Sequence, residues 1–154
     1  MTADEFLAWL TPPAQEVCAT YDLPYQVCVA QGAIESEWGK YGLGNGGFNL
    51  FGRKWGGTGA YVELPTQECY SGVWQTIIAK FQSYSSLQEA VKDWCELMNW
   101  KHPTDPAINY KKYADQYHND HDVESFVRGI APIYATNPSY TEDILATIRA
   151  CGMA

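Results

Sequence analysis

Between positions 39 and 59 the chain carries nine glycines, at 39, 42, 44, 46, 47, 52, 56, 57 and 59, interleaved with Tyr41, Phe48, Phe51 and Trp55. Glycine loses more conformational freedom on folding than any other residue, so a long helix or strand does not cross such a stretch. The regular elements must lie on either side of it. The segment itself reads as an irregular loop anchored by its aromatic rings. No strand-then-helix frame surrounds the glycines and no Gly-Lys-Ser/Thr follows them, so tight turns and close backbone approach explain them better than a phosphate cradle.

Upstream, Thr2 with Glu5 forms a capping-box pattern for a short first helix, and Thr11 followed by Pro12 and Pro13 reads as the cap and first turn of a second. Pro24 opens a further helix in which Val27, Ala30, Ile34 and Trp38 fall at helical spacing, with Gly39 as its end. Downstream, residues 66–70 and 73–81 are rich in β-branched and aromatic side chains and flank Ser71-Gly72, a two-residue hairpin turn. Alternation places Thr66, Glu68 and Tyr70 on one face of that hairpin. Ser86 with Glu89 then starts a helix with Leu87, Val91, Trp94, Cys95 and Met98 as its apolar stripe. Shorter helices are expected over 110–117, 123–130 and 140–151, the last two separated by the Asn137-Pro138 break. The expected fold class is α+β, a mainly helical domain with one small β-hairpin, residues 1–154 forming a single domain.

Composition removes several function classes. With 46% hydrophobic and 14% aromatic residues in 154, the chain can bury a core and is not disordered. No apolar run approaches the ~18 residues of a membrane span, and the start MTADEFLAWL has acids where a secretory signal has bases. The expectation is therefore synthesis in the cytoplasm without a signal peptide, and no membrane insertion. A formal charge of −8, with Lys111-Lys112 a short basic pair, argues against nucleic acid as a partner.

Cys18, Cys28, Cys69, Cys95 and Cys151 contain no Cys-x-x-Cys pair and are odd in number, so they read as small buried hydrophobes, with one bridge among them left open. His118 and His121, beside Asp120 and Asp122, have the spacing of ligands on one helical turn. The same residues also suit a solvated turn in which Asp122 caps the next helix, and this reading is preferred. No metal and no cofactor are expected.

The segment QGAIESEWG, residues 31–39, is different. If Val27, Ala30, Ile34 and Trp38 face inward, Gln31 and Glu35 form a stripe at the edge of that core face, near the helix C-terminus. Partial burial disfavours the ionised carboxylate, and the negative end of the helix dipole acts in the same direction. A carboxyl group kept protonated near neutral pH can serve as a general acid. Glu37 points elsewhere, roughly 200° around the helix. On spacing alone an ordinary boundary glutamate accounts for Glu35 equally well.

The series AQGAIESEWGKYGLGNGGFNLFGRKW resembles the core signature of glycoside hydrolase family 73, A-x-x-E-S-x-W-G followed by N-L-F-G-I-K. The likeness continues in TQECYSGVWQTIIAKFQSYSS, similar to the hairpin segment of that family, and in IYATNPSYTEDILATI, similar to its G-Y-A-T-D-P-x-Y ending. The resemblance spans residue 6 to about residue 148 and implies a lysozyme-like fold that hydrolyses the glycan strands of bacterial peptidoglycan as an endo-N-acetylglucosaminidase.

It further implies Glu35 as the general acid, Glu68 as a second, hairpin-borne carboxylate, and Tyr134 as a tyrosine positioning substrate or water. Asn49, Phe51 and Trp55 would line the sugar groove, with Tyr140 as the second tyrosine of the ending. Packing suits Phe51 and Tyr140 better than sugar contact, and Trp55 suits either role. Three positions depart from the pattern: Glu37 follows Ser36 in place of a small residue, Asn137 replaces aspartate, and Ile133 replaces glycine. A lytic transglycosylase, an N-acetylmuramidase and a binding module without catalysis are the alternatives. A lone catalytic domain of this type resembles a phage endolysin, with a holin as partner, or an effector delivered by a secretion machine.

Overall fold

The computed structural model describes residues 1–41 and 47–153, so the irregular-loop reading of residues 42–46 lies outside the described residues. Among the described residues the chain forms α1 (Ala3–Tyr21), α2 (Tyr25–Glu35), β1 (Tyr61–Tyr70), β2 (Val73–Gln82), α3 (Leu87–Met98), α4 (Lys111–Asp120), α5 (Val123–Tyr134) and α6 (Tyr140–Ala150). This is the expected α+β class. α1 packs against α2 and α3, α2 also against α6, and α5 against both α4 and α6.

The two early helices are one. The Thr2–Glu5 capping box starts α1 as expected, but the helix runs through Pro12 and Pro13. A proline inside a helix removes one hydrogen bond and clashes with the preceding turn, at a cost of about 3 kcal/mol. Tertiary burial outweighs it here, because Phe6, Leu10, Ala14 and Cys18 recur every four residues and are all buried. α2 begins after Pro24 as expected but ends at Glu35, four residues before Gly39. The cause is Ser36, whose hydroxyl donates to the Gly32 carbonyl (2.6 Å) and accepts from the Gly39 amide (2.9 Å), offering the backbone an alternative to a further helical turn. Trp38 still reaches the core, edge-on to Phe6 at 5.8 Å between ring centres.

The hairpin is antiparallel and longer than expected, paired from Tyr61↔Gln82 to Tyr70↔Val73. Ser71 (φ 51°) and Gly72 (φ 80°) both adopt positive φ, the mirror-image turn whose twist matches that of the strands. Along β1, Val62, Leu64, Thr66 and Glu68 form the less exposed face. The downstream helices follow the expected pattern with shifted ends, and Asp122 caps α5 by accepting from the Ser125 amide.

Cys18, Cys28 and Cys95 are buried and behave as small hydrophobes, with the Cys18 and Cys95 sulfurs 3.7 Å apart, whereas Cys69 is exposed on the hairpin. His121 pairs with Asp22 at 2.9 Å, which ties the end of α4 to the end of α1. No described helix is long and apolar enough to cross a membrane. No group of three or more His, Cys, Asp or Glu among the described residues is placed to hold a metal ion.

Candidate active site

Glu35 is the last residue of α2, and the chain turns away sharply behind it, with Glu37 (φ 48°) and Trp38 (φ 59°) in the left-handed region. The turn leaves the carboxylate at the wall of an open groove of about 480 Å³, lined also by Tyr41, Asn49, Gly52, Leu64, Thr66 and Phe81. One side of the groove therefore comes from a helix end and the other from the hairpin. Burial pushes the Glu35 carboxyl above its ordinary pKa, and the nearby Tyr140 hydroxyl, which favours the ionised form, partly opposes it.

The segment 49–53 forms the floor between them. Asn49 is 5% exposed, and its amide nitrogen donates to the carbonyls of Arg53 (2.7 Å) and Gln82 (2.9 Å) while its oxygen accepts from the Arg53 amide (3.0 Å). Its place in the groove wall is thus structural, a clamp between the loop and the end of β2. Phe51 is buried in the core, as its packing alternative required. The Tyr134 hydroxyl donates to the Phe51 carbonyl at 2.6 Å, so Tyr134 fastens this loop to α5. Burial, reinforced by the nearby Tyr140 and Glu35, holds the Tyr134 phenol well above its usual pKa. Arg53 continues the anchoring through an ion pair with Asp93 at 3.1 Å, and the Tyr84 hydroxyl donates to the same carboxylate.

Glu68 occupies the groove-side face of β1, one alternation beyond Thr66 toward the hairpin tip, and its carboxylate pairs with Lys54 at 3.2 Å. It does not belong to the immediate lining around Glu35. Trp55 lies outside the immediate lining around Glu35. Its ring sits against Tyr61 (4.8 Å) and under the Lys80 ammonium (5.0 Å), and its indole donates to Thr58 and Gly59 carbonyls. Backbone pairing explains the placement: the Trp55 amide donates to the Lys80 carbonyl and Lys54 bridges to Phe81, so Lys54 takes the groove side and Trp55 the other.

Tyr140 is buried and stacked nearly parallel to Tyr134 at 6.1 Å, and it receives a hydrogen bond from Gln31 at 3.1 Å. The two tyrosines of the ending therefore divide the work, Tyr134 holding the loop and Tyr140 facing the acid. Asn137, a departure from the family pattern, accepts from the amide and hydroxyl of Ser139, both at 3.0 Å, an acceptor role an amide oxygen fills as well as a carboxylate. Two contributors escaped the reading of the sequence. Ser36 ends the helix at Glu35, and its position directly after the acid was the available signal. Gln31 was placed at the edge of the core but is fully buried.

A carboxylic acid with a raised pKa, set in a partly dry groove, can protonate a leaving oxygen. A second carboxylate on a separate element can meet charge developing across the groove.

Comparison with known proteins identifies the family. The model of a glucosaminidase family, described as mannosyl-glycoprotein endo-beta-N-acetylglucosaminidase, matches residues 11–152. The exo-glucosaminidase LytG of Bacillus subtilis is 31% identical over 144 residues, 94% of this chain and 50% of that protein. The peptidoglycan hydrolase FlgJ of Escherichia coli K12 is 35% identical over 117 residues, 72% of this chain and 37% of that protein. The chain thus spans half or less of the length of these two relatives.

Among solved structures, the catalytic domain of the autolysin Auto from Listeria monocytogenes superposes with a TM-score of 0.85 at 27% identity, covering 98% of this chain and 85% of that one. A C-terminally truncated glycoside hydrolase domain of Salmonella typhimurium FlgJ gives 0.74 at 28% identity, covering 99% of both chains. With the family pattern matched from α1 to the end of α6 and the same fold around the groove, the chain belongs to the glucosaminidase family, glycoside hydrolase family 73.

Proposed function

We propose that residues 1–154 act as one catalytic domain that hydrolyses β-1,4 bonds in bacterial peptidoglycan, as an N-acetylglucosaminidase with Glu35 as the general acid. The carrying observation is the position of Glu35, at a helix end on a groove wall, with burial raising its pKa. The named activities of LytG and FlgJ support the substrate class. Glu68 is the second carboxylate in this reading, and it reaches the sugar when the hairpin closes over the strand. Tyr134 acts by holding the floor of the groove.

Replacing Glu35 by Gln tests the proposal, since the amide keeps the shape but has no proton to give. Lysis of purified walls by the folded variant should fall by about 10²- to 10⁴-fold. Turnover near that of the unmodified protein would exclude Glu35 as the acid.

One observation favours a second reading. The Glu68 carboxylate is held by Lys54 outside the immediate lining of the acid, which suits a lytic transglycosylase with a single acid and an internal sugar hydroxyl as nucleophile. Delivery to the wall through a holin or a secretion machine belongs to the leading proposal, and lysis of a host that depends on co-expressed holin is its test.

A further inference from the structure

Behind Glu35 lies a run of buried polar groups that the acid role does not by itself require. Trp94 on α3 and Gln31 on α2 are both fully buried, and Tyr140 on α6 is 4% exposed. The Trp94 indole nitrogen lies 2.7 Å from Gln31 Oε1, and Gln31 Nε2 lies 3.1 Å from the Tyr140 oxygen.

The direction of this chain follows from the chemistry of its far end. An indole N–H only donates, so it dictates which end of the amide faces it. With Oε1 committed to Trp94, the Gln31 NH₂ must face Tyr140 and donate to its oxygen. The reverse orientation would set two donors against each other 2.7 Å apart. The Tyr140 oxygen has then accepted one bond, and its single proton must point elsewhere. Glu35 stands one helical turn beyond Gln31 on α2, and the Tyr140 phenol and the Glu35 carboxyl influence each other's titration, so Glu35 is the acceptor assigned to that proton.

We infer that Trp94 and Gln31 are positioning residues that fix the polarity of a buried hydrogen-bond chain, Trp94 to Gln31 to Tyr140, so that the Tyr140 proton is aimed at the Glu35 carboxyl. This inference rests on the reading of Glu35 as the general acid. Such a donor holds the carboxyl in one place and stabilises the carboxylate left behind when Glu35 gives up its proton.

The other groups facing Glu35 do not substitute for it. Tyr134, from α5, has its proton on the Phe51 carbonyl. Lys40 and Tyr41, after α2, border the groove, with the Lys40 ammonium 5.2 Å from the Tyr41 ring. The Glu68 carboxylate on the hairpin is paired with Lys54.

The test is a direct titration of Glu35 in the full chain, using protein labelled with carbon-13 at the glutamate carboxyl. It is read by nuclear magnetic resonance beside the alkaline limb of kcat/KM. Tyr140→Phe removes the donor and should raise the Glu35 pKa by roughly one unit, shifting the alkaline limb upward by the same amount. Gln31→Met should shift both in the same direction by less, with KM held. In the Gln31→Met/Tyr140→Phe double variant, Gln31→Met should add nothing to Tyr140→Phe, because its effect passes through the tyrosine. An unchanged Glu35 pKa in Gln31→Met, or a shift that persists fully in the Tyr140→Phe background, overturns the inference.

The unmodified protein gives a second measurement that does not depend on any variant folding. The Trp94 indole ¹⁵N–¹H resonance should titrate with the Glu35 midpoint, and an indole indifferent to Glu35 contradicts the chain. Failure of the acid reading would register separately, as wall lysis retained by Glu35→Gln.

Discussion

Gly52 lies against Glu35: a methyl group on its α-carbon would stand 3.7 Å from the Glu35 Oε2, and its φ of 70° places it where L-residues are strained. A methyl group would fit at that distance, so what position 52 asks of glycine is its backbone conformation. Gly52→Ala should lower stability by about 1–2 kcal/mol through backbone strain, read as a fall in Tm, while leaving room beside the carboxylate. Gly52→Val carries the same strain and also fills the groove at the acid. Its kcat should fall well beyond that of Gly52→Ala at matched fraction folded, and equal activities would show that the space beside Glu35 is not used.

The Asn49 amide makes three bonds to backbone groups, so Asn49→Ala leaves the Arg53 and Gln82 carbonyls and the Arg53 amide without their partner. Buried unmet groups cost about 1–3 kcal/mol each, less where water reaches them. A loss of roughly 2–4 kcal/mol in denaturant unfolding is expected. Asn49→Asp keeps the acceptor but sets a carboxylate oxygen against the two carbonyls, and should cost at least as much as Asn49→Ala at neutral pH. A variant as stable as the parent but selectively weak in sugar binding would make Asn49 a substrate contact instead of a clamp.

Burial raises the Glu35 pKa in the folded state above its unfolded value. The folded chain then binds the proton more tightly, so this group's contribution to stability is fully present below the ordinary glutamate pKa and is lost as pH rises through the raised one. Glu35→Gln removes that loss. Its Tm should exceed that of the parent at neutral pH, with the difference shrinking toward zero below about pH 4. A Tm difference independent of pH would show that burial does not oppose ionisation at this site.

Lys54 and Glu68 form a half-exposed pair, which is worth at most about 1 kcal/mol in stability. Lys54→Met and Glu68→Gln should therefore change Tm little. Their turnover should diverge, because Glu68→Gln removes the carboxylate while Lys54→Met releases it. Glu68→Gln should lower kcat more than it raises KM, and parental values of both would move the second-carboxylate role away from Glu68.

Most of the helices and the hairpin were legible in the sequence because each depended on local spacing, whereas Glu35 was singled out by the family resemblance, its spacing alone suiting a boundary glutamate equally well. Caps at Thr2 and Ser86, the Ser71-Gly72 turn and the four-residue spacing from Gln31 to Glu35 are short-range signals. The continuous α1 was not legible, since Pro12 and Pro13 mark a boundary locally and only burial against α2 and α3 overrides them. Where Trp55 sits was not legible for a related reason. Its side of the hairpin is set by pairing with Lys80, 25 residues away in sequence, which no local pattern encodes. The burial of Gln31 likewise depends on Trp94 and Tyr140, which are distant in the chain and adjacent only in the fold.

The central claim, acid-catalysed hydrolysis that leaves N-acetylglucosamine at the new reducing end, is tested most directly by the product. Purified peptidoglycan is digested with the parent and with Glu35→Gln, reduced with borohydride, and the terminal sugar identified by mass spectrometry. The account predicts reduced N-acetylglucosamine from the parent and almost none from Glu35→Gln. Reduced muramic acid would instead identify a muramidase, 1,6-anhydromuramyl ends a transglycosylase, and wall binding without any glycan product would contradict catalysis at Glu35 altogether.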